Sequence, residues 1–439
     1  MRARPLLVSA LLFASSCREQ TESLPCDIRE RACQKAVFRA TARARGQYSA
    51  DMPRVRLISR ARLEEEYRQG FDQQEADPAL ERWTNALRLL ELLPKAQSFD
   101  DAFVDSAVAN VAAYYSPGNK SITIVEDSAT SEEDGTFYLS HEFVHALQDQ
   151  REGLLELQEA AIDTTDATVA IDSLTEGEAI WLSNLVVLRA DGVSEYEIDF
   201  EGYFDELLES TLEGVSESDA PLIEATTGLP YPVGGKAVSR RHLAAGPLSV
   251  ARLYDGAPET LAAWLDAPVA GLPRPLACET PPPPVGYEWV ESDRMGIAGI
   301  IALWTRLDDS GSDAFLDAQP WTADSLSLYA PVEDGTEQVA LAWRIRLRST
   351  SQAELLAESV ERHLKHVEVL VENREVLLTA ASDVTALAAW TDKAECPAID
   401  KSRRERGEST LARRRRLLEQ HPHHRFRAPQ RHYGRRVRD

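Results

Sequence analysis

The stretch Tyr138-Leu139-Ser140-His141-Glu142-Phe143-Val144-His145-Ala146-Leu147-Gln148-Asp149-Gln150 decides how this chain is read. Phe143, Val144 and Leu147 supply the apolar face of a helix. Ser131, followed by Glu132, Glu133 and Asp134, can start that helix, because acids favour its positive end. The spacing predicts a helix from about Thr136 to Gln150. His141 and His145 then lie one turn apart on one face and can present two imidazole nitrogens to a single metal ion. Glu142 stands about 100° round from His141. There it can take a proton from metal-activated water without itself being a ligand. Each residue type in the HExxH pattern therefore has its own task. The pattern is short, and the bland reading is a pair of core histidines satisfied by hydrogen bonds.

Upstream, Val55–Ile58 reads as a strand, and Ala61–Gln69 and Pro78–Leu93 read as helices. Val111 to Val125 places two β-prone runs around Ser116-Pro117-Gly118-Asn119, a hairpin or bent edge strand. Ser121–Val125 is expected to be the edge to which an extended substrate adds. Downstream, Asp166–Arg189 is apolar on most sides and predicts a helix inside the fold. It carries Glu176 and Glu178, which lie about 200° apart on a helix, so one ion cannot bind both. Periodicity does not choose between them.

The Pro281-Pro282-Pro283-Pro284 run reads as a stiff extended linker. Beyond it, helices at Met295–Trp304 and Gln352–Leu364 alternate with strands at Ser325–Tyr329, Gln338–Arg346, His366–Val371 and Val376–Leu378. That order predicts an α+β fold. The expected division is a signal at 1–17, an N-terminal tether or entry segment at 18–52, a catalytic-type domain at 53–274, a linker at 275–285, a smaller α+β domain at 286–396 and a basic disordered tail at 397–439.

The chain has 439 residues and a formal net charge of -24, which argues against a nucleic-acid-binding body. Its tail from Pro397 carries 14 Lys+Arg against 5 Asp+Glu, so the rest of the chain is more acidic still. At the other end, Arg2 and Arg4 precede a short apolar run and then Ala14-Ser15-Ser16-Cys17. This reads as an export signal, too short to span a bilayer as a mature helix. It resembles a bacterial lipoprotein signal, which implies a lipidated Cys17, a membrane anchor and a periplasmic or cell-surface location. Cys26, Cys33, Cys278 and Cys396 remain, enough for two disulfides. Cys26 with Cys33 is the local choice and would leave Cys278 with Cys396.

His141-Glu142-Phe143-Val144-His145 followed by Glu176-Gly177-Glu178-Ala179 resembles the gluzincin branch of zinc metallopeptidases. More narrowly, His145-Ala146-Leu147-Gln148-Asp149-Gln150 resembles a group of exported bacterial proteins. Tyr114-Tyr115, Pro230-Tyr231 with Gly234-Gly235, and Gln319-Pro320-Trp321 with Asp324 extend that likeness over roughly residues 55 to 390. The resemblance implies a zincin-like α+β domain with one zinc ion held by His141, His145 and Glu176, with Glu142 as base and proton shuttle. It selects Glu176 over Glu178 through the Glu-Gly-x-Ala string. Asp149 is expected in a supporting or structural role. For the donor that would stabilise an oxyanion, Tyr231, Tyr254 and His242 are candidates by residue type, with Tyr231 preferred. The function these features point to is hydrolysis of peptide bonds in a peptide or protein substrate. The rivals are a zinc amidase acting on cell-wall peptides and a binding or scaffolding protein without turnover.

Overall fold

The computed structural model describes residues 23–72, 78–161, 163–265, 281–307, 310–332, 338–388, 390 and 409–411. The expected signal at 1–17, Cys278, Cys396 and the histidines of the tail lie outside the described residues. Among them the chain is α+β with two separate sheets.

Helix α1 (Arg31–Arg45) opens the fold. The 18–52 segment is thus no tether from residue 23 onward, because α1 buries Cys33, Val37, Phe38, Ala42 and Arg45. Its basic outer residues disguise an apolar stripe at helical spacing. Cys26 and Cys33 form a disulfide at its start, the local pairing expected. Strand β1 (Arg54–Ile58) and helices α2 (Arg60–Asp72), α3 (Pro78–Leu89) and α4 (Phe99–Asn110) follow. Strands β2 (Ala113–Ser116) and β3 (Ser121–Val125) make the expected hairpin. β1 pairs parallel with β3, giving the order β1-β3-β2. Ser121–Val125 is therefore the central strand and not the edge, because β1 returns from upstream to cover its other side.

Helix α5 (Glu132–Glu152) carries His141 and His145. The Ser131 side chain accepts a hydrogen bond from Asp134 N at 3.0 Å, and Gly153 ends the helix at φ 71°. A short α6 (Leu154–Glu159) leads to α7 (Thr165–Ala190), buried from Thr165 to Leu188 as its all-round apolar pattern predicts. Helices α8 (Phe200–Glu217), α9 (Pro221–Gly228), α10 (Pro230–Ala245) and α11 (Pro247–Ala251) follow, with α10 packed along α7 and the other three against α10. The crossing of α7 and α10 is possible only because of glycine. A Cβ on Gly177 would lie 2.3 Å from the Gly234 carbonyl carbon, and one on Gly234 would lie 1.7 Å from the Ser173 carbonyl oxygen.

The second sheet comprises β4 (Tyr287–Asp293), β5 (Trp321–Pro331), β6 (Ala340–Leu347), β7 (Glu368–Glu372) and β8 (Glu375–Ala381), in the order β4-β5-β6-β8-β7. Helices α12 (Gly296–Thr305), α13 (Gly311–Ala318), α14 (Thr350–His363) and α15 (Val384–Ala388) accompany it. Asp324 anchors α12, accepting from Met295 N and Gly296 N at 3.0 Å and from the indoles of Trp321 and Trp343. One apolar cluster runs from Leu63 and Trp83 through Val169 and Ile223 to Trp343 and Leu378. The segments expected as two domains thus share a core. The proline run is pinned to the second part rather than free, since the Tyr329 hydroxyl and the Trp390 indole donate to the carbonyls of Pro281 and Pro282.

Asp293 and Arg294 tie β4 to the start of α7: Thr165 N donates to Asp293 at 2.9 Å, and Arg294 pairs with Asp166 at 3.0 Å. A third element joins here. Ser409, Thr410 and Leu411 are buried, with the Ser409 hydroxyl donating to Asp293 and Thr410 N to Glu291. The expectation of a segment that packs nothing fails at these three residues, whose Ser-Thr-Leu composition interrupts the arginines. A variant ending at Cys396 should therefore melt lower than one ending at Leu411. Three hydrogen bonds to carboxylates and one buried leucine together contribute about 3 kcal/mol or more, or roughly 3–4 °C in a chain of this length. Equal melting temperatures by calorimetry would show that this contact adds nothing.

Candidate metal centre

Three side chains meet where α5 crosses α7. His141 Nε2 and His145 Nε2 are 3.1 Å apart, His141 Nε2 lies 3.1 Å from Glu176 Oε2, and His145 Nε2 lies 3.4 Å from the same oxygen. All three residues are buried. A tetrahedral ion with bonds of roughly 2.0–2.2 Å keeps its donors about 3.3–3.6 Å apart, close to the separations found. Two imidazole nitrogens and a carboxylate oxygen also form a donor set that suits a borderline metal. The group can hold a metal ion, and the residues present fit one.

Burial pushes His141 below the usual histidine range, and His145 adds to this, against the opposing pull of Glu176. That favours the neutral imidazole, the form with a lone pair to offer. Glu142 is 2% exposed and acts electrostatically on His141. Its Oε2 is buried and meets no hydrogen-bond partner among the described residues.

Glu178 faces elsewhere. Arg45 of α1 grips it with two bonds, Nε to Oε1 and Nη2 to Oε2, each 3.1 Å. Tyr254 donates to Glu178 Oε2 at 2.6 Å, and Gln148 Nε2 does so at 3.1 Å. Burial raises the Glu178 carboxyl, but Arg45, Tyr254 and Gln148 outweigh it and hold the group below the usual carboxylate range. Burial and Glu178 keep Tyr254 well above its ordinary value, so its hydroxyl remains a donor. The two glutamates of α7 thus diverge as helix geometry requires, Glu176 toward the histidines and Glu178 toward α1.

The other sequence candidates separate. The Tyr231 ring lies nearly parallel to His141, with centroids 6.1 Å apart. Tyr254 belongs to the Glu178 network, whereas His242 packs edge-on against Trp181 at 5.3 Å. Asp149 accepts from the Tyr115 hydroxyl at 2.8 Å and fixes β2 to α5, a structural role. Arg45 and Gln148 escaped the residue-by-residue reading. Gln148 stood inside the quoted motif, three residues after His145. Nothing in the basic run around Arg45 signalled its burial or its partner 133 residues away.

Comparison of the chain with protein-family models, with curated proteins and with solved structures found no match.

Proposed function

We propose that this protein is a zinc-dependent peptidase of zincin type, with His141, His145 and Glu176 holding one zinc ion and Glu142 as its base. The observation that carries this reading is Glu142, a buried carboxylate oxygen without a hydrogen-bond partner among the described residues, beside a donor set fit for a metal. A metal site with a purely structural role would not need such a group. When bound, the zinc would acidify a water molecule and polarise the substrate carbonyl. Glu142 Oε2 would hold the proton taken from that water and deliver it to the leaving amine. Tyr231, whose ring packs on His141, is our candidate donor to the oxyanion. β2 is an outer strand of its sheet and lies against α5 through Tyr115, so strand addition by an extended peptide belongs there rather than at β3.

The burial of the whole triad favours a second reading, a metal-holding scaffold without turnover. Incubation of the zinc-loaded protein with a peptide library, followed by mass spectrometry, separates the two. Cleavage by the wild type and none by Glu142→Gln supports the peptidase, and no cleavage by either supports the scaffold.

We place the mature protein outside the cytoplasm on a lipid anchor at Cys17, resting on the Ala14-Ser15-Ser16-Cys17 string. Among the described residues no helix is long and apolar enough to cross a membrane. Cys17→Ala should move the protein from the membrane fraction to a soluble exported fraction, since several acyl chains anchor firmly where none would remain. Unchanged fractionation on membrane flotation would remove the anchor from the proposal.

A further inference from the structure

The Gln148 amide is held in one orientation. Its Nε2 group faces three acceptors: the Thr175 carbonyl at 2.9 Å, Glu178 Oε2 at 3.1 Å and the Tyr254 hydroxyl at 2.9 Å. Turning the amide over would set its oxygen against a carbonyl and a carboxylate, so the flip is excluded by repulsion. Its Oε1 therefore faces His145 Nδ1, 2.8 Å away. An amide oxygen only accepts, so His145 must carry its proton on Nδ1. In the neutral ring Nε2 is then the bare nitrogen, and it is the one that faces His141 and Glu176.

We infer that Gln148 is the positioning residue that fixes His145 in its metal-binding tautomer, and that α1 completes the site by clamping Glu178 behind it. The chain of restraint runs from Arg45 to Glu178, from Glu178 to the Gln148 amide, and from that amide to the imidazole. Arg45 is itself pinned, donating to the Leu147 carbonyl and to Glu152, each at 2.9 Å. Phe38 of α1 packs on Phe143 at 5.1 Å, and Thr41 is hydrogen-bonded to Ser140 at 2.9 Å. α1 is thereby fixed to the same helix it supports. Groups that orient a metal-binding histidine act on affinity, because they set which nitrogen is bare before the ion arrives.

This inference rests on the metal-binding part of the proposed function, and its first readout needs neither metal nor activity. Histidine-selective 15N labelling of the metal-free full chain, with assignment by His145→Gln, should show His145 protonated on Nδ1 and bare on Nε2. Gln148→Met keeps the length of the side chain and removes its amide. It should release the tautomer and weaken zinc binding roughly 10–100-fold in a chelator competition, with thermal melting as the folding control. A wild-type His145 protonated on Nε2 would overturn the inference even if no variant folds. So would an unchanged tautomer and zinc affinity in folded Gln148→Met. If His141→Ala leaves zinc binding intact while His145 shows the expected tautomer, the metal reading fails and the positioning of His145 stands.

Discussion

Glu142→Gln should retain zinc at wild-type content and lose roughly 10²–10⁴-fold in the rate of peptide hydrolysis, the range for removal of a general base. The side chain keeps its size, and the triad keeps all three donors, so only proton transfer is removed. Glu176→Ala should behave differently, losing metal and hydrolysis together, because two histidines make an incomplete site. Glu178→Ala should differ from both. It leaves the Arg45 guanidinium, 2% exposed in its side chain, without its main counter-charge. Breaking a buried pair in this way costs about 3–5 kcal/mol, visible as a lower melting temperature of the metal-free protein. Metal analysis, a cleavage assay and a melting curve on the three variants sort these roles. Loss of zinc from Glu178→Ala with retention by Glu176→Ala would reverse the assignment of the two glutamates.

Gly234→Ala should be among the most destabilising single substitutions in the protein. The added carbon would stand 1.7 Å from a backbone oxygen of α7, and neither helix can yield by rotating a side chain. The helices must separate, at a cost of roughly 3 kcal/mol or more. Gly177→Ala meets the Gly234 backbone from the other side and should act similarly, with added loss of metal affinity because Glu176 moves with the helix. Gly214→Ala is the control, since a Cβ there meets nothing within 4 Å and alanine favours the helix. Denaturant midpoints give the comparison. A Gly234→Ala protein as stable as the wild type would mean that the two helices do not cross so closely.

The parts of this structure written in local periodicity were legible. The HExxH helix, the buried helix after it, the hairpin and most elements of the second sheet stand within a few residues of where spacing and turn formers put them. What spacing could not show was pairing between distant segments. β1 covering β3, α1 docking on α5, and Ser409 reaching Asp293 all join segments far apart in the chain. No local pattern encodes such a partner. Helices α8 to α11 were missed for a different reason. Proline ordinarily ends a helix, yet Pro221, Pro230 and Pro247 each begin one, where the missing N–H is harmless. At the site, sequence left Glu176 and Glu178 open on geometry, and the arrangement around them turns on Arg45, which no motif singled out.

That arginine also sets an order of events. Arg45 is made early, but its partner Glu178 lies 133 residues further along the chain. Closing so long a loop costs conformational entropy before the ion pair can return anything, so the contact is expected to follow the packing of α5 on α7. Until it forms, α5 and α7 can pack, yet Glu178 is buried without its cation and Gln148 without a firm hold. The donors of the triad would then be assembled before they are rigid. Docking of α1 is what completes the restraint on Gln148 and, through it, on His145.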